Sequence, residues 1–342
     1  MTGVDGRPAA TLGDVLTEHR RRRFVGRATE IGLFRAALDS AVAPPFSVLH
    51  VYGPGGIGKT SLLEVLGAIA ADAGATVARI DGHGLDPSPA SVLEVLAETL
   101  AIPADDGPIC PSEDGGRLVL LVDAYEQLAP LDDWFRTRLL PRLHASAITV
   151  IAGRDQPTRA WMADPAWGGL LRVVSLRNLS PDDSHAFLRK AGLDPALHDR
   201  IVRLTYGHPL GLALLTDVVA RGAEVDSHVL PLDLVEALIP HFVDTVPDHR
   251  HRRALETCAV ARCTNEALLR HVLGENDVRD VFTWLRELSF VELRPDGLAP
   301  HDLARDVLDA DLRWRDFDSY KHVFHRTREH SLAALRTNAG RA

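Results

Sequence analysis

The octapeptide Gly-Pro-Gly-Gly-Ile-Gly-Lys-Thr at residues 53–60 constrains this chain more than any other feature. An apolar run of strand length, residues 46–52, precedes it, and apolar side chains at helical spacing follow over residues 59–73. Strand, glycine loop and helix in this order fit the pattern G-x-x-x-x-G-K-S/T, in which backbone N–H groups converge on a phosphate at a helix N terminus. The sequence therefore predicts a phosphate-binding loop formed by Gly53, Pro54, Gly55, Gly56, Ile57, Gly58, Lys59, Thr60 and Ser61.

The lysine of this loop is unusual for a chain that otherwise uses arginine for positive charge. Lys and Arg together number 38, yet Lys59 is one of only a few lysines along the chain. A compact ammonium reaches the β and γ oxygens of a nucleotide, where a planar guanidinium fits poorly. The hydroxyl of Thr60 and the carboxylate of Asp123, which ends an apolar strand at residues 118–122, are the predicted Mg²⁺ ligands. The predicted cofactors are therefore ATP or ADP and Mg²⁺.

The residues that carry hydrolysis are less well defined by the sequence. Many P-loop ATPases have a second acid directly after the metal-binding Asp, but Ala124 takes that place in this chain. The nearest acid is Glu126, for which two interpretations stay open: it aligns the attacking water, or it only begins a helix. Arg154 follows a strand at residues 147–152, so it is predicted to sense a γ-phosphate, with a plain surface role as the alternative. The predicted catalytic residues are Lys59, Asp123, Glu126 and Arg154.

Uniformly apolar strands alternate with helices in the first half of the chain, which indicates a parallel sheet covered on both faces. The predicted strands are residues 46–52, 75–80, 118–122, 147–152 and 170–175, and the helices are 59–73, 89–101 and 131–144. Further along, the predicted helices are 180–191, 195–205, 209–221, 232–243, 248–261, 264–273, 277–289, 302–312 and 315–336, with a hairpin at 290–301. The sequence thus predicts an α/β P-loop NTPase domain at 23–176, an all-helical domain at 177–244 and a winged-helix domain at 245–312. An N-terminal arm at 1–22 and a C-terminal helix at 313–342, taken as the start of an effector or sensor region, complete the predicted domains.

Composition and charge narrow the class of protein. Hydrophobic residues make up 46% and charged residues 25% of the chain, as in an average soluble protein, and no secretory signal or membrane-length apolar run is visible. The three cysteines form neither a disulfide framework nor a metal-type spacing, so we expect a cytoplasmic protein with reduced thiols. A net charge of −9 argues against a protein that binds nucleic acid over its whole surface. The basic run at residues 19–23 is open to two interpretations, a solvated arm or a contact with a phosphate or partner.

Three further motifs, in order with the phosphate loop and Asp123, give the chain a family resemblance. Residues 24–30, Phe-Val-Gly-Arg-Ala-Thr-Glu, resemble an hhGRExE segment; residues 207–210, Gly-His-Pro-Leu, resemble a GxP element; residues 300–303, Pro-His-Asp-Leu, resemble an MHD motif. Together they resemble the bacterial STAND family of signal-transduction ATPases, the NB-ARC type within the AAA+-like P-loop proteins. The resemblance implies nucleotide contacts by Phe24, Val25 and Arg27 near adenine, by Pro209 and Leu210 near the base, and by His301 at the β-phosphate of ADP.

The resemblance also implies how such a protein works. Bound ADP holds the domains closed, and ATP favours an open form that self-associates, with a protein effector or sensor as a further expected partner. Ala124 implies slow hydrolysis. Two alternatives stay open: an Orc/Cdc6-like DNA-loading ATPase, and a nucleotide-binding scaffold without turnover. Residues 245–312 hold 9 Arg against 13 Asp and Glu, so direct DNA binding by this region is not expected, nor is a membrane partner.

Overall fold

The protein is described by a computed structural model that covers residues 21–40, 43–102, 107–110, 116–220, 232–243, 246–261, 263–288, 290–294 and 296–339. The predicted arm at 1–22 and the beginning of the basic run at 19–23 lie mostly outside the described residues. No helix within the described ranges is both long enough and apolar enough to span a lipid bilayer.

A five-stranded parallel sheet forms the first half of the chain, as predicted. Its strands are β1 Val48–Tyr52, β2 Thr76–Asp81, β3 Leu118–Asp123, β4 Ile148–Gly153 and β5 Leu171–Ser175. They lie in the order β2-β3-β4-β1-β5. Because β4 pairs with both β1 and β3, the segments that follow these three strands meet at one edge of the sheet.

Helices cover both faces of this sheet, and the alternation of side chains along each strand explains why. In β3, Val119 and Leu121 pack with the helix that follows the glycine loop, while Leu118, Leu120 and Val122 pack into the core on the opposite face. A strand buried on both faces needs apolar residues at every position, which is the pattern that its sequence shows. The helices of this half are α1 Ala28–Leu38, α2 Lys59–Asp72, α3 Pro89–Leu100 and α4 Arg159–Ala163.

Two local differences from the sequence prediction have physical causes. The segment predicted as one helix at 131–144 is a chain of short turns, because Pro130 and Pro141 each remove an N–H donor from an α-helical ladder. These turns are 3₁₀ at Tyr125–Leu131, α at Asp132–Trp134, π at Phe135–Leu139 and 3₁₀ again at Leu140–Arg142. Helix α1 is absent from the sequence prediction, since residues 24–30 are interpreted there only as a motif.

The second half of the described chain is helical, with one small antiparallel sheet. Its helices are α5 Pro181–Lys190, α6 Pro195–Thr205, α7 Pro209–Ala220, α8 Leu232–Leu238, α9 Pro240–Val243, α10 His249–Val260, α11 Glu266–Leu273, α12 Arg279–Glu287, α13 Asp302–Arg315 and α14 Phe317–Ala339. The hairpin pairs β6 Val291–Arg294 with β7 Gly297–Pro300. Thr264 exchanges two backbone hydrogen bonds of 2.7 Å with Leu298, which ties the hairpin to the chain before α11.

One hydrophobic core joins most of these helices and the hairpin. It contains buried side chains from both of the predicted domains at 177–244 and 245–312, for example Leu212, Leu255 and Leu303. Because this core is shared, it does not separate the two predicted domains, and their boundaries stay predictions from the sequence. The elements of this half follow the predicted order, except that the helix predicted at 232–243 is divided into α8 and α9, and the hairpin occurs where the sequence predicts it.

Candidate functional site

The glycine loop between β1 and α2 has the backbone geometry of an anion site. Gly56 and Gly58 have φ of 74° and 95°, a left-handed region that favours glycine, and Gly58 directly precedes helix α2. A Cβ added at Gly58 would meet no atom within 4 Å, whereas one at Gly56 would lie 2.7 Å from Leu210. The loop is thus open at Gly58, at the N terminus of a 14-residue helix, where N–H groups and the helix dipole favour a phosphate.

Lys59 lies over this loop, with its ammonium among polar backbone atoms. Nζ donates to the carbonyl oxygens of Gly53 at 2.7 Å and Pro54 at 3.0 Å. Burial, the largest cause, and the charge of Arg154 lower the pKa of Lys59 to about 8, while the charge of Glu126 opposes the change. A desolvated ammonium fits an anionic ligand, because a nearby negative charge restores the stability of its charged form.

The predicted magnesium ligands are a hydroxyl and a carboxylate. Thr60 is exposed in the first turn of α2, as is Ser61, and Asp123 ends β3 with Oδ1 accepting the N–H of Ala124 at 2.9 Å. Among the described residues, no group of three or more His, Cys, Asp or Glu side chains is arranged to hold a metal. The donor set nevertheless fits Mg²⁺, which prefers oxygen and takes its remaining ligands from phosphate and water.

Glu126 and Arg154 are brought together at the ends of neighbouring strands. Oε2 of Glu126 accepts the backbone N–H of Arg154 at 3.0 Å, and Oε1 lies 3.3 Å from its Nε. The side chains are 15% and 28% exposed, so the pair is largely shielded from water. Glu126 also lies in the first turn of the 3₁₀ segment Tyr125–Leu131, so it is near a helical start and in addition contacts the predicted sensor.

Asp155 belongs to the same neighbourhood and is missing from the sequence prediction. Burial and the charge of Glu126 raise its pKa, while Arg154 opposes the change; Glu287 at the end of α12 raises it and Lys59 lowers it. Its position in the sequence, directly after Arg154 and just beyond the end of β4, could have identified it. Glu287 lies some 130 residues away in the chain and carries no such signal, since only packing brings α12 near this edge.

The N-terminal motif is packed between the glycine loop and helix α5. Nη2 of Arg27 donates to the carbonyl of Ile57 at 2.9 Å, and its side chain is only 8% exposed; burial lowers its pKa against the opposing charges of Glu30 and Asp183. Phe24 and Val25 are half-buried, and Lys190 donates to the carbonyl of Phe24 at 2.9 Å. The segment predicted to lie near adenine therefore contacts the loop directly.

The turn at residues 207–210 contacts the glycine loop from the opposite half of the chain. Leu210 donates its N–H to the carbonyl of Gly56 at 3.2 Å, and Pro209 begins helix α7. A Cβ on Gly207, where φ is 76°, would lie 2.5 Å from the carbonyl of Leu179, so glycine is required for this close approach. Pro209 and Leu210 are thereby positioned beside the loop.

His301 lies between hairpin strand β7 and helix α13. Its Nδ1 is 3.4 Å from Oε1 of Glu292, and the same oxygen is 4.0 Å from Nη1 of Arg177. Burial lowers the pKa of His301 against the opposing charge of Glu292. Arg177 follows Leu176, and the carbonyl of Leu176 lies so close to Gly53 that an added Cβ there would be 2.9 Å from it. His301 is therefore connected to the loop indirectly, through Glu292 and the residues that follow β5.

Comparison with known proteins gives one family and several distant structural matches. A family model described as an AAA ATPase domain matches residues 23–315. No curated protein matches. Among solved structures, the RuvB Holliday junction branch migration motor of Thermotoga maritima is 16% identical, with a TM-score of 0.43, over 82% of this chain and 94% of that one.

Two further structures match at similar identity. A STAND protein with a tetratricopeptide repeat sensor from Pyrococcus horikoshii is 17% identical, with a TM-score of 0.37, over 91% of this chain and 45% of that one. Cdc6p from Pyrobaculum aerophilum is 16% identical, with a TM-score of 0.44, over 85% of this chain and 96% of that one.

Proposed function

Because the chain belongs to the AAA ATPase domain family, and so is a nucleotide-binding P-loop ATPase, we propose that it acts as an ATP/ADP switch of the STAND type. In this proposal, bound ADP stabilises a closed resting state, ATP favours an open form that self-associates, and hydrolysis is slow. Signalling or transcription regulation in bacteria is the proposed context, with an effector or sensor protein as partner.

The observation that carries the proposal is that the phosphate loop is itself a contact between distant parts of the chain. The carbonyl of Gly56 accepts the N–H of Leu210, and the carbonyl of Ile57 accepts from Arg27. A phosphate bound to the inner side of this loop acts on the same few peptide groups that hold residues 207–210 and the N-terminal motif. Nucleotide state and domain arrangement are therefore coupled through shared peptide groups, which is what a switch requires.

The hairpin supplies a second link to the nucleotide site. Glu292 lies between Arg177 after β5 and His301 before α13, so the hairpin region contacts the sheet close to Gly53. In the proposed closed state, His301 contacts the β-phosphate of ADP. A change from 1:99 to 99:1 in such an equilibrium needs about 5.5 kcal/mol of differential binding. One charge-assisted hydrogen bond contributes about 1.5–3 kcal/mol, so a single contact of this kind biases the switch substantially.

Slow hydrolysis is supported by two features of the strand-end residues. Ala124 stands in the place of a second acid, so no carboxylate at this position activates a water molecule. Glu126 is engaged by Arg154 through both oxygens. The same features favour a second candidate, a nucleotide-binding scaffold without turnover.

Identification of the bound nucleotide tests the proposal. The purified protein is denatured, and the released nucleotide is identified and quantified by chromatography. Near-stoichiometric ADP, followed by a rise in mass by light scattering when ADP is exchanged for a non-hydrolysable ATP analogue, supports the switch. An empty protein that turns ATP over rapidly without a change in mass contradicts it, and nucleotide that is bound but never hydrolysed, with constant mass, supports the scaffold.

The Lys59→Ala variant provides the control for this experiment. It removes the ammonium that lies over the loop, at the first residue of α2. Loss of both bound ADP and the change in mass in this variant links the two observations to the phosphate loop.

A further inference from the structure

We propose that Glu126 is the positioning residue of Arg154: it holds the guanidinium so that its terminal nitrogens face the γ-phosphate position, and it thereby sets the preference between ATP and ADP. The proposal deepens the proposed nucleotide switch and rests on it. It adds a third interpretation of Glu126 to the two predicted from the sequence, because it assigns the carboxylate to Arg154 rather than to a water molecule or to a helix start alone.

The contact geometry is the first support. Glu126 uses one oxygen for the backbone N–H of Arg154 and the other for Nε of the same residue, so main chain and side chain are fixed together. Arg has five N–H donors, and four of them are on the terminal nitrogens. Because Glu126 engages Nε, these four donors remain for a ligand. The carbonyl of Gly153, which precedes Arg154, accepts the N–H of Gly53 at 3.3 Å, so the pair lies beside the phosphate loop.

The backbone directly before Glu126 is packed closely against Gly82 and Gly153. A Cβ on Gly82 would lie 2.5 Å from the carbonyl of Ala124, and one on Gly153 would lie 3.2 Å from Cβ of Tyr125. Ala124 has φ of 50°, so the turn before Glu126 is held in a left-handed conformation. Side chains on packed, constrained backbone keep their geometry better than side chains on open loops.

A second carboxylate joins the same two segments further from the site. Asp132 accepts hydrogen bonds from the hydroxyl of Tyr125 at 2.9 Å, Nε1 of Trp161 at 2.8 Å and the hydroxyl of Thr158 at 2.8 Å. Asp132 and Glu126 therefore both connect the chain after β3 with the chain after β4. Of these two carboxylates, Glu126 is the one that pairs with the predicted sensor Arg154.

Measurement of nucleotide preference separates positioning from base catalysis. In Glu126→Gln the N–H contact of Arg154 is retained but the ion pair is lost, so we expect affinity for a non-hydrolysable ATP analogue to fall about tenfold relative to ADP. Arg154→Ala should lose the preference to a similar or greater extent, and the double variant should be no worse than Arg154→Ala alone, because both changes remove one unit. Single-turnover hydrolysis at saturating ATP should fall by less than about tenfold in Glu126→Gln.

Three results would overturn the proposal. The first is an unchanged ATP-to-ADP preference in Glu126→Gln together with abolished single-turnover hydrolysis, which would make Glu126 the base. The second is multiplicative loss in the double variant, and the third is a wild-type protein that binds both nucleotides equally.

Thr158→Val is the matched control. It removes one hydrogen bond of Asp132 between the same two segments and retains both atom pairs that join Glu126 to Arg154. We expect its ATP-to-ADP preference to equal that of the wild type; a reduced preference would show general loosening and contradict positioning. The switch itself is judged separately, by retained ADP and by the change in mass, so a failure of one proposal leaves the other distinguishable.

Discussion

Substitution of Gly56 by Ala should open the protein, because it places a methyl group inside the contact between the phosphate loop and residues 207–210. The new Cβ would lie 2.7 Å from Leu210 and 3.1 Å from His208, closer than ordinary van der Waals contact. The left-handed backbone at Gly56, φ 74°, adds about 1–2 kcal/mol of strain in any conformation of the domains. Overpacking of about 1–3 kcal/mol, in contrast, is relieved when residues 207–210 move away from the loop.

The overlap is relieved only in the open form, so it sets the expected shift in the balance between the closed and open forms. An overlap of about 1–3 kcal/mol corresponds to a change of about 5–150-fold in the balance of closed and open forms. We expect faster release of a fluorescent ADP analogue in stopped flow and a larger hydrodynamic radius at the same ADP concentration. The hydrogen bond from Leu210 to the carbonyl of Gly56 should be lost together with the overlap.

Gly58→Ala is the matched control for Gly56→Ala. Its φ of 95° gives comparable backbone strain, but its Cβ would meet no protein atom within 4 Å and would only narrow the open side of the loop. We therefore expect weaker nucleotide binding without a larger radius in the ligand-free protein. The reasoning is refuted if Gly56→Ala keeps the wild-type ADP release rate and radius, or if Gly58→Ala opens the ligand-free protein equally.

Three further predictions concern the surroundings of the loop. His301→Ala should speed ADP release by about tenfold or more, the effect of one lost charge-assisted contact, and should favour assembly; an unchanged off-rate and an unchanged mass by light scattering would rule this out. The pKa of Lys59 is lowered to about 8, so the unfolded chain binds more protons than the folded one above that pH. Stability of the wild type relative to Lys59→Met, measured by urea denaturation without nucleotide, should therefore rise from pH 8 toward the ordinary lysine pKa; a flat difference would contradict it. Arg27→Lys removes the guanidinium that donates to the carbonyl of Ile57 and should lower the free energy of unfolding by about 1–3 kcal/mol. Arg21→Lys, at an exposed ion pair, should lower it by less than about 1 kcal/mol. Equal losses in the two variants would show that burial of Arg27 is unimportant.

The phosphate loop and the parallel sheet could be predicted from the sequence because both depend on short-range patterns. The loop needs glycines at fixed spacing between a strand and a helix, all within about 25 residues, and the strands need uninterrupted apolar residues to be buried on both faces. Prediction failed locally at 131–144, where Pro130 and Pro141 break an apparently helical pattern into short turns. It also omitted helix α1, whose residues carry a motif that hides the helical pattern.

The roles of individual site residues depended on distances that no local pattern contains. Asp123 and Arg154 could be placed at strand ends from the sequence, but whether Glu126 faces water or Arg154 depends on the pairing of β3 with β4. Asp155 and Glu287 come into electrostatic contact only because α12 packs near the sheet edge.

The sequence by itself thus determined a glycine loop between a strand and a helix, with an ammonium at the start of that helix, since these lie within one strand-loop-helix unit. Only the tertiary structure decided what holds that unit in place: Leu210 on the carbonyl of Gly56, Arg27 on Ile57, and Glu126 on Arg154. The physical reason is that these contacts join residues 28 to 154 positions apart in the chain. Their formation depends on the packing and register of whole elements, whereas the curvature of a glycine loop depends only on its own backbone.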